Sequence, residues 1–382
     1  MQNLYDESIE LHKKFGGKLE TVSKVPLLNK DDLSLAYTPG VAGVCLAIAK
    51  DEKLAKLYTI KKNTVAIVTD GSAILGLGDL GPMAAIPVME GKATIFKEFG
   101  GVDAFPICLD TKDTEEIIKA VKQIAPVFGG INLEDISAPR CFEIEERLRK
   151  ELNIPVMHDD QWGAATVTLS ALINALKIVG LDKQKAKIVI SGVGGAGVAT
   201  GRLLHEYGIT NTIFCDSSGI INSKRNNLTK EKLELLNAST IKDMEGGLDL
   251  AIEKADVFIG LSKPNILTPA MVKKMSARPI IFALANPNPE IDPSLALSSG
   301  AYIVATGRSD YPNQINNSLV FPGIFRAMLD KDIPQFENKI FINVAQALAD
   351  MVENTNPNNI IPSMFDPLVK ETVYNAVTAL SL

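Results

Sequence analysis

Residues 154–168, IPVMHDDQWGAATVT, pass from a strand-like apolar stretch into a helix-like one, and His158, Asp159 and Asp160 stand between them. Ionisable side chains cost several kcal/mol each when buried without partners. One aspartate at a helix start is accounted for as an N-cap, since its carboxylate accepts from the free N–H groups there. Two carboxylates and an imidazole exceed what capping needs. A second acidic pair, Glu134-Asp135, ends another strand-like run, GGINLEDI. Alone, each pair reads equally well as solvated carboxylates. If their strands are neighbours the two clusters converge, and oxygens with open positions beside them suit Mg²⁺ or Mn²⁺. No cysteine stands near, which argues against zinc. Histidine is scarce: His12, His158 and His205 are the whole stock. Proton transfer near neutral pH therefore falls to His158 or to a tuned Lys, Tyr or carboxylate.

A second constellation is Gly192-x-Gly194-x-x-Gly197, which follows IVIS and opens a helix-like stretch. Glycines at this spacing permit a tight turn and let backbone approach a pyrophosphate at a helix N-terminus. Gly192, Gly194, Gly195, Ala196 and Gly197 are the expected cofactor-binding positions, and Asp216, ending the strand-like NTIFCD, is the expected acceptor for ribose hydroxyls. An acid there favours NAD over NADP, although the basic Lys224 and Arg225 follow and could reach a 2′-phosphate.

The elements that must position these groups alternate strand and helix. TVAIVTD (64–70), DAFPICLD (103–110) and GGINLEDI (129–136) read as strands, with helical spacing over 114–128 and 141–152. After a helical stretch at 165–180, a second series begins at IVIS and continues through ADVFIGLS, RPIIFALANP and AYIVATGR. This predicts an α/β protein of two domains: an N-terminal α/β catalytic domain over 1–157, and a Rossmann-type NAD-binding domain with parallel sheet and helical tail over 158–382. A net charge of −6 leaves no basic footprint for nucleic acid. No run reaches the roughly 18 uninterrupted apolar residues of a membrane span. The first residues lack a signal-like apolar core. Four scattered cysteines suit a reducing cytoplasm.

Taken together, the segments YTPGVA (37–42), LGLGDLGP, MEGKATIFKEFGGVDAFPI, INLEDI, HDDQWGAA, ISGVGGAGVA, FALANPNPEI and ATGRSDYPNQINNSLVFPGIF resemble the malic enzyme family in its short bacterial form, in the family's order from about 31 to 326. The resemblance implies oxidative decarboxylation of L-malate to pyruvate and CO₂, with oxaloacetate as a related substrate, NAD or NADP as cofactor, and Mg²⁺ or Mn²⁺. It also implies a homodimer or higher assembly. By the same resemblance, Tyr37 is the acid that protonates the enol and Lys92 the base that takes the substrate hydroxyl proton. Glu134, Asp135 and Asp160 are the metal ligands, and Asp159 is a partner of the lysine. Asn286 and Asn317 hold the substrate carboxylate, with Asn286 also beside the cofactor. From the residues alone, Tyr37 could equally pack on its proline turn, Lys92 be a solvated lysine, and the asparagines be turn residues. Trp162 and Ala164 stand where the short enzymes more commonly have His and Thr, so Trp162 is expected either to narrow the pocket or to replace a lost polar contact. Ala73 replaces an arginine of larger members, and Arg308 is a candidate substitute. These departures keep open a metal-dependent oxaloacetate decarboxylase or a malolactic-type enzyme of the same fold.

Overall fold

The computed structural model describes residues 2–380. The chain begins with an arm of four helices, α1 (Gln2–Phe15), α2 (Lys30–Ala36), α3 (Val41–Lys50) and α4 (Leu54–Tyr58). None of residues 3–63 is fully buried, although the arm carries Val22, Leu28, Leu35 and Tyr37.

The β-branched run Thr64–Thr69 (β1) is buried along its whole length. It pairs in parallel with Asp103–Cys108 (β2) and Gly130–Leu133 (β3), and Val156–His158 (β4) adds to β3, giving the order β2-β1-β3-β4. Strands apolar on both faces need helices on both faces. α5 (Pro82–Gly100), α6 (Thr114–Ile124) and α7 (Arg140–Glu151) supply them in part. α5 starts with Pro82 in its first turn and stops at Gly101, whose φ of 66° closes the last carbonyls. Its inward stripe is Ala85, Met89, Lys92, Ala93 and Phe96, so spacing of three and four residues carries a lysine into the core.

α8 (Asp159–Val179) leaves the end of β4 and is buried on nearly every face. By length and hydropathy alone it would pass for a membrane span, as would 30–50; α8 instead is the central strut of the core, and 30–50 is broken between α2 and α3. The second sheet follows: β5 (Ile188–Ser191), α9 (Gly195–Glu206), β6 (Thr212–Asp216), β7 (Gly219–Ile220), α10 (Lys230–Ala238), β8 (Val257–Gly260), β9 (Ile280–Ala283) and β10 (Ile303–Thr306). Three short helices, α11 (Leu248–Ala251), α12 (Pro269–Val272) and α13 (Pro293–Ser298), fill its crossovers. The order β10-β9-β8-β5-β6-β7 is the doubly wound arrangement, with its switch point between β5 and β8. The sheet is not wholly parallel. β7 runs antiparallel to β6, because two residues after Asp216 leave no room for the crossover that a parallel neighbour needs.

The last helices are α14 (Phe321–Asp330), α15 (Asn338–Asp350) and α16 (Val369–Thr378). α14 returns to the first sheet, where Phe321 and Phe325 meet Phe96 of α5 at ring separations of 4.7 and 5.4 Å. α15 packs on α8. One apolar cluster consequently runs from β1 through α5, α8 and α14 to β5 and β8.

Candidate active site

The carboxyl ends of β1, β3 and β4 lie at one edge of the first sheet, where open α/β sheets bind ligands. Leu133 is in register with His158, so Glu134-Asp135 and Asp159-Asp160 emerge side by side. Lys92 arrives from α5: its Nζ lies 2.6 Å from Glu134 Oε1, donates also to Asp159 Oδ2, and sits 4.3 Å from the Phe321 ring centre. Asn317 Nδ2 donates to the same Asp159 oxygen. Asp135 N donates to Asp160 Oδ2 at 2.8 Å, and Asn132 Nδ2 to Glu134 Oε2 at 2.9 Å. Asp135 reaches this place with φ of 53°, a left-handed conformation that Asp tolerates better than most residues.

Four carboxylates thus share one ammonium. Burial opposes the charge on Lys92, but Asp159, Glu134 and Asp160 outweigh it and hold the amine above its ordinary range. Burial, then the charge of Asp160, pushes Glu134 up to about 7 against the pull of Lys92. Burial and the charges of Asp160 and Glu134 push Asp135 up to about 9. Burial raises Asp159 to about 7, partly offset by Lys92, and also raises Asp160. Asp135 Oδ2 and Asp159 Oδ1 are buried with no hydrogen-bond partner among the described residues. Surplus negative charge and orphaned hard oxygens fit a divalent cation of the magnesium type. Among the described residues no three Asp, Glu, His or Cys side chains are gathered tightly enough to hold an ion as they stand. Lys92 lies between Glu134 and Asp159, and Asp160 turns back onto a backbone N–H. His158 is held neutral: burial and then the charge of Lys92 bring it down to about 3.

Of the other expected residues, Asn317 joins this cluster, whereas Asn286 is exposed and lies elsewhere along the seam. A Cβ on Gly76 would stand 2.3 Å from Asn286 O, and one on Gly307 3.1 Å from its amide. Asn286 therefore touches the glycine loop that follows β1. Tyr37 is not brought to Lys92; it is 67% exposed, and its hydroxyl makes no hydrogen bond among the described residues. Arg308 is drawn to Asp310, with bonds of 2.8 and 2.6 Å. The expectation that Trp162 narrows the pocket is corrected. Its ring stacks on Phe341 of α15 at 4.9 Å and its Nε1 donates to Glu145, so it faces the core behind α8.

Two features escaped the sequence reading. Asp70, the residue directly after β1, is a third strand-end acid, fully buried, accepting from Ser72 and from Arg140 at 2.7 Å. Arg140 also reaches Ser137 Oγ and Lys112 O, tying the glycine loop to α7. The rule that singled out Glu134-Asp135 applies equally to TVAIVTD. The other feature, Glu145, lies on the helical stripe of Cys141, Ile144 and Leu148, and that spacing could have found it.

At the second sheet the glycine turn occupies the switch point. Gly192 has φ of 100°, and a Cβ there would meet Leu261 O at 2.3 Å; one on Gly197 would meet Gly192 O at 1.9 Å. Gly194, which caps α9, has open space beside it, at a helix start whose free N–H groups favour an anion. Gly197→Ala is expected to cost about 1–3 kcal/mol through overpacking, seen as a lowered Tm together with lost NADH binding. Gly194→Ala should keep the wild-type Tm and weaken NADH binding in a fluorescence titration, since its methyl enters only ligand space. Asp216 ends β6 and is gripped by Arg225 at 2.9 and 3.0 Å and by Lys232 at 2.7 Å. Despite burial, these cations hold its carboxyl down to about 2.

The acidic cluster and the glycine turn share one seam. Gln161, the residue after Asp160, has its Cγ 3.5 Å from where a Cβ of Gly195 would stand.

Residues 16–149 match the model of the malic enzyme N-terminal domain and residues 162–378 that of the malic enzyme NAD binding domain. The chain is 55% identical to the NAD-dependent malic enzyme of Geobacillus stearothermophilus, over 98% of this chain and 78% of that protein. It is 50% identical to the bifunctional malic/malolactic enzyme of Bacillus subtilis, over 98% and 92% of the two chains. The crystal structure of the NAD-dependent malic enzyme from Thermotoga maritima superposes with a TM-score of 0.93 at 48% identity, covering 97% of this chain and 98% of that one.

Proposed function

The chain belongs to the malic enzyme family, and from that premise we propose that it oxidises and decarboxylates L-malate to pyruvate and CO₂ with a nicotinamide dinucleotide and Mg²⁺ or Mn²⁺. The observation that carries this reading is the seam itself, where Asp160 and the dinucleotide turn are separated by one residue, Gln161. Glu134, Asp135 and Asp160 would hold the cation, which would supply acidification of the C2 hydroxyl and polarisation of the ketone, and the glycine turn would hold the dinucleotide, which would supply the hydride acceptor.

The chain's own residues handle protons and orientation. Lys92 is an ammonium while the carboxylates around it are uncompensated; once their charge is offset, it can release its proton and take that of the substrate hydroxyl. Asp159 and the Phe321 ring fix Nζ, and Asn317 fixes Asp159. Asn317 and Asn286 orient the substrate carboxylate, and Tyr37 delivers a proton to C3.

Tyr37 stands on an arm with no buried residue, so we assign a homodimer, in which a second copy covers the arm and a Tyr37 comes within reach of a Lys92. Leu28→Asp with Leu35→Asp is expected to shift the sedimenting species to monomer and to lower kcat at least tenfold. An unchanged dimer with unchanged kcat would remove the arm from the assembly. A cytoplasmic location is consistent with cysteines that are free thiols.

We further propose that both NAD⁺ and NADP⁺ serve. The acid that should repel a 2′-phosphate is offset by Arg225 and Lys232, leaving a local charge of about +1 by the side chains' ordinary ionisation states. Arg225→Ala with Lys232→Ala should lower kcat/KM for NADP⁺ at least tenfold more than for NAD⁺. Equal losses would deny these cations the 2′-phosphate.

The defining assay follows reduced nicotinamide, pyruvate and lactate together, from malate and from oxaloacetate. Equimolar pyruvate and NADH from malate support malic enzyme activity. Lactate without net NADH would favour the malolactic reading, which the Bacillus subtilis relative keeps in view. Pyruvate from oxaloacetate alone would favour a decarboxylase.

A further inference from the structure

Glu145 lies on the inward stripe of α7 with Cys141, Ile144 and Leu148, and it is 4% exposed. A carboxylate at that depth, which burial pushes upward, needs compensating donors. Its nearest cation, Arg149, stands 3.9 Å away. The donors come instead from one short stretch. Oε1 accepts from His158 N at 3.0 Å; Oε2 accepts from Gln161 Nε2 at 3.0 Å and from Trp162 Nε1 at 3.1 Å. These three residues flank Asp159 and Asp160 on both sides.

The mechanical consequence is specific. His158 is the N-cap of α8, yet its side chain makes no cap bond. Glu145 supplies a negative charge at that helix start from a neighbouring element, where the helix dipole favours it. It holds the cap residue by the backbone, and the third and fourth residues of the first turn by side chains. Rotation or translation of the first turn would carry Asp159 and Asp160 with it and would break at least one of the three bonds. Gln161, one of the three donors, is also the residue packed on Gly195. Trp162 is pinned a second time by its stack on Phe341.

We propose that Glu145 is a positioning residue: by clamping His158, Gln161 and Trp162 it fixes where Asp159 meets Lys92 and where Asp160 meets Glu134 and Asp135, and it sets the spacing between that cluster and the dinucleotide helix α9. Glu145 touches neither substrate nor cofactor. The proposal rests on the malic enzyme reading for what the clamped residues do.

Glu145→Gln tests it, since a neutral amide of the same size fills the site but turns one donor toward another donor. The expected variant is folded, with a Tm close to wild type, kcat from malate at least tenfold lower, and Mg²⁺ affinity at least tenfold weaker by calorimetry, in the range seen when residues supporting metal ligands are changed. KM for NAD⁺ should move less than kcat. A folded variant with kcat and Mg²⁺ affinity within twofold of wild type would overturn the proposal. If Glu145→Gln does not fold, Trp162→Phe removes one bond and keeps the stack; about threefold losses in both quantities support the clamp, and wild-type values sink it. Wild-type protein in the same assay separates the two claims: absence of malate-dependent NADH there would fault the function, not the clamp.

Discussion

Lys92→Ala lowers kcat for malate oxidation by about 10³-fold while NADH still binds; that is the expected result, since a positioned general base contributes about 10²–10⁴-fold. The same substitution leaves Glu134, Asp135, Asp159 and Asp160 crowded at the sheet edge without their ammonium. Removing one partner of a buried ion pair costs about 3–5 kcal/mol when the remaining charge stays ionised. The pH dependence has a definite sign. These carboxyls have folded pKa values raised above their unfolded ones, to about 7 for Glu134 and Asp159 and about 9 for Asp135. Their contribution is fully present below the unfolded value and is lost as pH rises through the folded one. The Tm of metal-free wild type should therefore fall from weakly acidic to alkaline pH, and that of Lys92→Ala should fall more steeply. Parallel Tm curves for the two proteins, with kcat reduced less than tenfold, would remove Lys92 from the centre of the chemistry.

Asp160→Ala is the second large effect. Loss of a ligand to a cation that supplies several kcal/mol of charge stabilisation predicts a drop in turnover on the order of 10³-fold, with the fold intact because Asp160 is only partly buried. Binding is read independently. Mg²⁺ should raise the wild-type Tm by mass action, and more at alkaline pH, where the carboxylates are ionised and need it most. In Asp160→Ala that rise should disappear, and the metal-free Tm at alkaline pH should increase because one repelling charge is gone. A Mg²⁺-dependent rise that survives unchanged would exclude Asp160 as a ligand.

The parts of this site that follow a local rule were legible in the sequence. Acids at strand ends and glycines at a strand-to-helix turn are fixed by the geometry of parallel sheets, and β3 and β4 are indeed neighbours. What was not legible depends on packing between distant segments. Lys92 follows Glu90-Gly91 and looks solvated, and only its place on the Ala85–Phe96 stripe buries it. Burial alone would lower its pKa, but the acids around it outweigh burial. The two-residue β7 has no period to read. Trp162 follows Asp160 by two residues, about 200° around the helix, which turns it away from that acid and onto Phe341. Tyr37 lies on an arm in which none of residues 3–63 is fully buried, so no local packing rule places it.

The aromatic lid formed by Phe321 and Phe325 over Phe96 also bears on synthesis at the ribosome. The helix bearing Lys92 emerges before the second sheet, but the rings that seal it, one of which also faces the lysine ammonium, are translated only after that sheet. Until then a nascent chain can form its first sheet yet must leave Phe96 open to water or to a chaperone. Competence for catalysis is acquired late, when the tail has docked.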